Sequence, residues 1–246
     1  MRKDFKITTL TKKGTDYNMA NQYGAKPIVT EGLVFYTDGK DTSSNYGTTI
    51  TDIMKKKSGT LTGSPTLSGT YAPTFDGSGD RIDFGGETTS DDFAFGTGDF
   101  TIESWFRYSG GNFNSGPYYI DMRAQGEQSA AKIALYIPSG KLNWFVNNGS
   151  WDDGSESLSV NTWYHVVATR VSSTRYFYVN GTQTNSEGSH TTSYVASRPR
   201  LGARANLSAT QYWNGNIPIV RIYKGKGFTS SDVSQNFNAQ RDRFGV

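Results

Sequence analysis

Hydrophobic alternation is strongest in two stretches of the chain. In the first, Trp163, His165, Val167 and Thr169 alternate with Tyr164, Val166, Ala168 and Arg170, which gives one strand two different faces. A polar turn at Ser172, Ser173 and Thr174 leads to Tyr176, Phe177, Tyr178 and Val179, whose aromatic and β-branched side chains favour a second strand. Asn180-Gly181 then suits a type I′ turn. In the second stretch, Phe100, Ile102, Ser104 and Phe106 fall on one face, and Thr101, Glu103, Trp105 and Arg107 on the other. A tryptophan on the mixed face implies that both faces of this strand are covered, by loops or by a partner.

The remaining elements are shorter. Residues 32–39 read as an opening strand, and 71–84 (YAPTFDGSGDRIDF) as strand, Asp-Gly turn, strand. Residues 118–122, 132–137 and 142–146 form a meander with a turn at Pro138-Ser139-Gly140. Residues 147–159 and 181–197 are polar and read as loops; 200–204 and 211–223 add strands, with Pro218 at a strand start or a bulge. A short helix is expected from Thr229 to Gln240, with Thr229 or Ser230 as N-cap and Asp232 near its positive end. Phe244 is placed to pack back. Many short strands, 28 glycines and 14% aromatic residues together favour an all-β sandwich.

The motifs carry a resemblance. WYHVVATR, a turn and a run ending in VNG, together with FDGSGDRIDF, GDFTIESWFRY and WNGNIPIVRIYKGKGFTSSDV, resemble the laminin-G-like, concanavalin A-type jelly roll in order and content. The likeness covers roughly residues 31–240 and implies a two-sheet antiparallel jelly-roll sandwich with a short C-terminal helix. This fold serves sugar binding, protein binding, glycan hydrolysis and virion construction alike, so function must be argued from sites.

Charge divides the chain in two. Residues 1–30 hold six Lys or Arg against Asp4 and Asp16, a net +4, while the whole chain nets +3 and the remainder therefore −1. We read 1–30 as an extended basic docking arm and 31–246 as the jelly-roll domain. Phe5, Ile7 and Leu10 are the arm's apolar anchors, and Lys12 and Lys13 would meet an acidic surface. No apolar stretch follows the basic start, so a secretory signal is not expected, and there is no apolar run of 18 residues. Three lysines at 55–57 read as a solvated face rather than a nucleic-acid contact. Without cysteine there are no disulfides, thiolate metal sites or cysteine nucleophiles.

Hydrolases that resemble this chain in fold carry paired carboxylates in a pattern like E-x-D-x-x-E; none occurs here, and no enzyme is expected. His165 and His190 are too few for a three-histidine zinc centre, and His165 reads as a sheet residue with its ring satisfied. The resemblance raises calcium, with Asp76, Asp80 and Asp83 the best match to the family's acidic turn and Asp152 and Asp153 a weaker set. For a host-surface glycan, Trp151, Tyr194 and Tyr212 are rim candidates by position. The opening YGAKPIVTEGLVFYTDG and the closing FTSSDVSQNFNAQRDRFGV are similar to laminin-G-like proteins of tailed phages with marine and cyanobacterial hosts. That implies a virion protein assembled in the host cytoplasm, a capsid decoration or tail-fibre subunit. Its partners would be a major capsid or tail protein and further copies in an oligomer or lattice. A carbohydrate- or cell-surface-binding module is the alternative.

Overall fold

The computed structural model describes residues 27–246 except 55–56, 86–89, 111, 125, 128–130, 147–149 and 207–210, and gives 150–156 as backbone alone. The strands in chain order are β1 (Leu33–Asp38), β2 (Gly59–Thr62), β3 (Thr74–Asp76), β4 (Arg81–Phe84) and β5 (Phe100–Tyr108). Then come β6 (Tyr118–Asp121), β7 (Ala134–Tyr136), β8 (Lys141–Val146), β9 (Ser150–Ser157) and β10 (Trp163–Val171). Last are β11 (Thr174–Val179), β12 (Thr182–Glu187), β13 (Arg200–Leu201) and β14 (Asn214–Lys224), followed by helix α1 (Ser230–Phe244). They form two antiparallel sheets, β1-β14-β5-β10-β11-β12 with β3 on β14, and β2-β4-β13-β6-β7-β8-β9. The architecture is the predicted jelly-roll sandwich.

The alternation of β5 and β10 decides what lies between the sheets. Phe100, Ile102, Phe106, Val166 and Ala168 point inwards and meet Ile82, Phe84, Ile120, Leu135 and Trp144 of the second sheet. The opposite parity of the same strands, Trp105 and Val167 among them, joins a second apolar cluster with Val233, Phe237 and Phe244 of α1. What covers the mixed face is therefore the chain's own C-terminal helix. Trp105 stacks on Phe244 at 4.2 Å and on Phe237 at 5.8 Å. Burying such side chains stabilises the fold by roughly 1.5–3 kcal/mol each.

Local chemistry sets the ends of these elements. Thr229 caps α1 in a reciprocal capping box with Asp232, and Gly245, with φ of 70°, closes it in the left-handed conformation. The helix runs four residues past the predicted end, because Phe237 and Phe244 keep one apolar stripe through the polar Gln240–Arg243 turn. Both hairpin turns around β11 need positive φ: Ser172 and Ser173 (46° and 68°) before it, Asn180 and Gly181 (48° and 84°) after it. Pro218 lies where the β14 register slips between Asn216 and Ile219, a bulge, which is one of the two placements expected for it. At Gly215 the backbones of β14 and β5 come closest, and a Cβ there would lie 2.1 Å from the Arg107 carbonyl oxygen.

One expectation is corrected. The polar stretches 147–159 and 181–197 contain strands β9 and β12, which complete one edge of each sheet. Their ladder bonds come from β8 and β11, and side-chain polarity does not prevent backbone pairing at an edge. The Asp-Gly turn of 71–84 does join two strands, but they part company: β3 pairs with β14 and β4 with β13 and β2.

Candidate functional site

Charged side chains on the strands concentrate on the two outer faces of the sandwich. On the first sheet, β5 carries Glu103 to the centre, and the register sets Arg221 of β14 directly opposite it. Glu103 is 0% exposed. Its oxygens accept from Arg221 Nη1 at 2.9 Å and Asn236 Nδ2 at 2.7 Å, and His165 Nε2 lies at 2.9 Å and Tyr223 Oη at 3.3 Å. Burial opposes the carboxylate's charge, but Arg221 together with the His165 and Asn236 hydrogen bonds outweighs it and holds the group down to about 2. Arg221 in turn stays charged: burial works against it, and Glu103 and the Tyr36 and Tyr223 hydroxyls push its pKa up. Burial pushes Tyr36 up to about 12 despite the adjacent Arg221.

Helix α1 seals this cluster and ties in the start of the described chain. Asn236 Oδ1 accepts from Val29 N at 2.8 Å, Gln235 Nε2 donates to Pro27 O at 2.6 Å, and Tyr223 Oη donates to Val29 O at 3.2 Å. Of the expected arm, residues 27–30 thus lie at the helix, whereas 1–26, with Phe5, Ile7, Leu10, Lys12 and Lys13, fall outside the described residues. The sequence reading missed Arg221, Tyr223 and Asn236 as partners of Glu103. An arginine inside the apolar IPIVRIY run was the available signal, because a buried guanidinium demands an anion.

The second sheet's outer face repeats the pairing. Arg200 of β13 lies between Asp83 of β4 and Asp121 of β6 in the ladder. Arg200 Nε donates to Asp83 at 2.6 Å, and Arg123 grips Asp121 with two nitrogens at 2.9 and 2.6 Å. Arg123 also sits 4.4 Å over the Phe145 ring, beside the stacked pair Tyr118 and Tyr136 at 4.7 Å. At the partly exposed rim, Arg204 Nη1 donates to Gln211 at 2.7 Å, and Tyr212 is half-buried next to it.

These contacts correct the metal expectation. Asp83 is engaged by Arg200 and by Arg81 at 3.1 Å, so a cation there would face guanidinium charge. Asp80 is buried and accepts from the backbone N–H groups of Ser64 and Asp76, and Asp76 accepts from Ser78 N. Among the described residues no group of three or more His, Asp or Glu side chains converges on a point that could hold a metal ion. The Asp152 and Asp153 side chains lie outside the described residues.

The glycan-rim candidates separate. Tyr194 is a correction: it is 2% exposed, set edge-on to Phe100 at 5.3 Å, with its hydroxyl 2.7 Å from His190 Nε2. Its backbone bridges to Gly96, which draws a polar-looking segment into the end of the sandwich. Arg170 closes that end by donating to the carbonyl oxygens of Gly96, Gly98 and Thr192. Burial, with Arg175 and Arg170 nearby, pushes His190 down to about 4. The Trp151 side chain lies outside the described residues, although its backbone pairs with Phe145. A cavity lined by Trp144, Arg175, Phe177 and Glu187 measures about 10 Å³, room for a single water rather than a sugar ring.

Every described carboxylate that is buried is therefore already satisfied: Asp38 by Arg243, Asp52 by backbone N–H groups, Asp80, Asp83, Glu103 and Asp121 as above. Such an arrangement holds a surface in shape. Comparison with known proteins agrees with the architecture. The profile of a family described as the concanavalin A-like lectin/glucanases superfamily matches residues 76–234. A Trypanosoma rangeli sialidase in complex with 2,3-difluorosialic acid aligns with a TM-score of 0.65 and 16% identity, over 89% of this chain and 35% of that one. The receptor binding domain of botulinum neurotoxin C/D mosaic serotype aligns at 0.62 and 19%, over 85% of this chain and 51% of its own. The binding domain of Paraclostridial Mosquitocidal Protein 1 aligns at 0.61 and 18%, over 85% and 52%. The chain spans about a third of the sialidase and about half of each toxin domain. No curated protein matches it. At these identities the likeness is one of fold.

Proposed function

The chain belongs to the concanavalin A-like lectin/glucanases superfamily, and from that premise we propose that it is a non-catalytic recognition module that binds carbohydrate on a cell or particle surface. The observation that carries this reading is that, among the described residues, the buried carboxylates are all engaged by arginines, amides and backbone N–H groups. The toxin binding domains that share the fold lend it support, since they are named for binding. A glycan microarray probed with the full chain should give specific, sugar-competed signals, and incubation with the bound oligosaccharides should release no reducing ends. A blank array, or turnover, would sink the proposal.

A second reading places the module on a virion, as a capsid decoration or tail-fibre subunit of a tailed phage docked by its N-terminal segment. It draws on the hydrogen bonds that Asn236, Gln235 and Tyr223 share with residues 27 and 29, which give whatever precedes them a fixed point of departure. A chain begun at Pro27 keeps those bonds and should fold, yet fail to co-sediment with particles that carry the full chain. Equal co-sedimentation would remove this reading.

A further inference from the structure

Past the C-terminal end of α1, the outer face of the first sheet is only partly covered. One row of side chains crosses four strands there. Trp163 of β10 lies opposite Arg107 of β5, Arg107 opposite Asn216 of β14, and Asn216 opposite Thr74 of β3. All four are half-buried, as is Tyr71. The Trp163 and Tyr71 rings lie 4.7 Å apart, and Phe244 supports them at 4.8 and 5.8 Å. Asn216 Nδ2 donates to Tyr71 O at 3.1 Å and to Thr74 Oγ1 at 2.6 Å, which fixes the amide.

Arg107 differs from the arginines described above. Arg123, Arg200, Arg221 and Arg243 each hold a carboxylate. The Arg107 side chain makes no hydrogen bond or ion pair with any described residue, and its Nε is buried without an acceptor. A buried guanidinium N–H carries that cost unless an acceptor arrives from outside, and a carboxylate is the acceptor that matches the guanidinium best.

We propose that this row binds an acidic sugar, a pyranose ring carrying a carboxylate. The proposal rests on the recognition reading above and names its site and ligand class. The sugar's C–H face would lie on the Trp163 indole, whose large apolar surface suits it, and the carboxylate would take two parallel N–H···O bonds from Arg107. Residues directly opposite in an antiparallel pair have Cβ atoms about 4.5–5.5 Å apart, the scale of a sugar ring and its attached carboxylate. Asn216 supplies a carbonyl oxygen for a ring hydroxyl. The row contains no acidic residue to compete for Arg107. Because Phe244 and Tyr71 brace Trp163, little side-chain entropy remains to be lost on binding.

The test is calorimetric titration of the full chain with a glucuronate-terminated oligosaccharide and with the glucose-terminated one of equal length. The acidic sugar should bind about ten- to hundredfold more tightly, as a charge-assisted hydrogen-bond pair implies, and salt should erode the preference. Arg107→Gln should remove the preference and keep the weaker binding, whereas Trp163→Ala should remove both; an unchanged melting temperature in Arg107→Gln checks the fold. Equal affinities, or a preference that survives Arg107→Gln, overturn the ligand class. Sugar binding that survives Trp163→Ala overturns the site while recognition stands. Should neither sugar bind and the microarray also stay blank, or should only an acidic peptide bind, the recognition reading falls and this inference with it.

Discussion

Replacing Arg221 by methionine isolates what holds the centre of the first sheet together. The variant keeps much of the side-chain volume but leaves Glu103, 0% exposed, without its counter-ion. Breaking a buried pair from one side costs about 3–5 kcal/mol, because the remaining charge has no compensation. A second route gives a similar size. A carboxylate held at about 2 in the folded state, against an ordinary 4.5, contributes roughly 3 kcal/mol at neutral pH. The sign of the pH dependence follows from that depression. The contribution is fully present above about 4.5 and is lost as pH falls towards about 2. In Arg221→Met, burial is no longer opposed by the guanidinium and pushes the carboxyl up, so the variant folds more readily once Glu103 is protonated. Urea unfolding followed by tryptophan fluorescence at pH 7 and pH 3.5 should therefore show a large deficit at the first and a smaller one at the second. Glu103→Gln/Arg221→Met, which removes both charges, should recover most of the loss. A single-variant deficit below about 1 kcal/mol, or one equal at both pH values, would refute the reasoning.

Two further outcomes follow. Phe244→Ala removes the ring that stacks on Trp105 at 4.2 Å and should cost about 3–5 kcal/mol, read as a fall in the urea midpoint; a cost near zero would mean that α1 is not fastened there. His190, pushed down to about 4, should stay neutral in the folded protein when an ordinary histidine is charged, and stability should decline as pH falls from about 6.5 towards 4. Its ring proton shifts, followed by NMR against pH, should move only near pH 4, and a midpoint near 6.5 would contradict the burial assigned to it.

The sequence carried the sandwich wherever the two faces of a strand differ in chemistry. The parities of 100–107 and 163–170 correctly separated the inward Phe100, Ile102 and Val166 from the outward Trp105 and His165, since period-two alternation records which face meets a core. The Thr229 cap and the Pro218 bulge were equally local, and equally legible. Polar β9 and β12 were not, because an edge strand needs only a partner's backbone and leaves no apolar pattern behind. Tyr194 misled for a related reason: its polar neighbours face outwards, while a bridge to Gly96 pulls the ring inwards. The Trp163, Arg107 and Asn216 row was hidden more deeply. Each residue's face could be read off its own strand, but their meeting depends on which strands pair and in what register, a property of the whole sheet.

The bonds from α1 to Pro27 and Val29 also define a load path. A pull on the chain ahead of residue 27 reaches Gln235 and Asn236 before it reaches β1, and through Asn236 it reaches Glu103 at the middle of the sheet. Tension is thus shared between the last element of the fold and its centre instead of peeling an edge strand. A module hung by that end would be held first through these bonds, and only after they parted would the pull come onto β1.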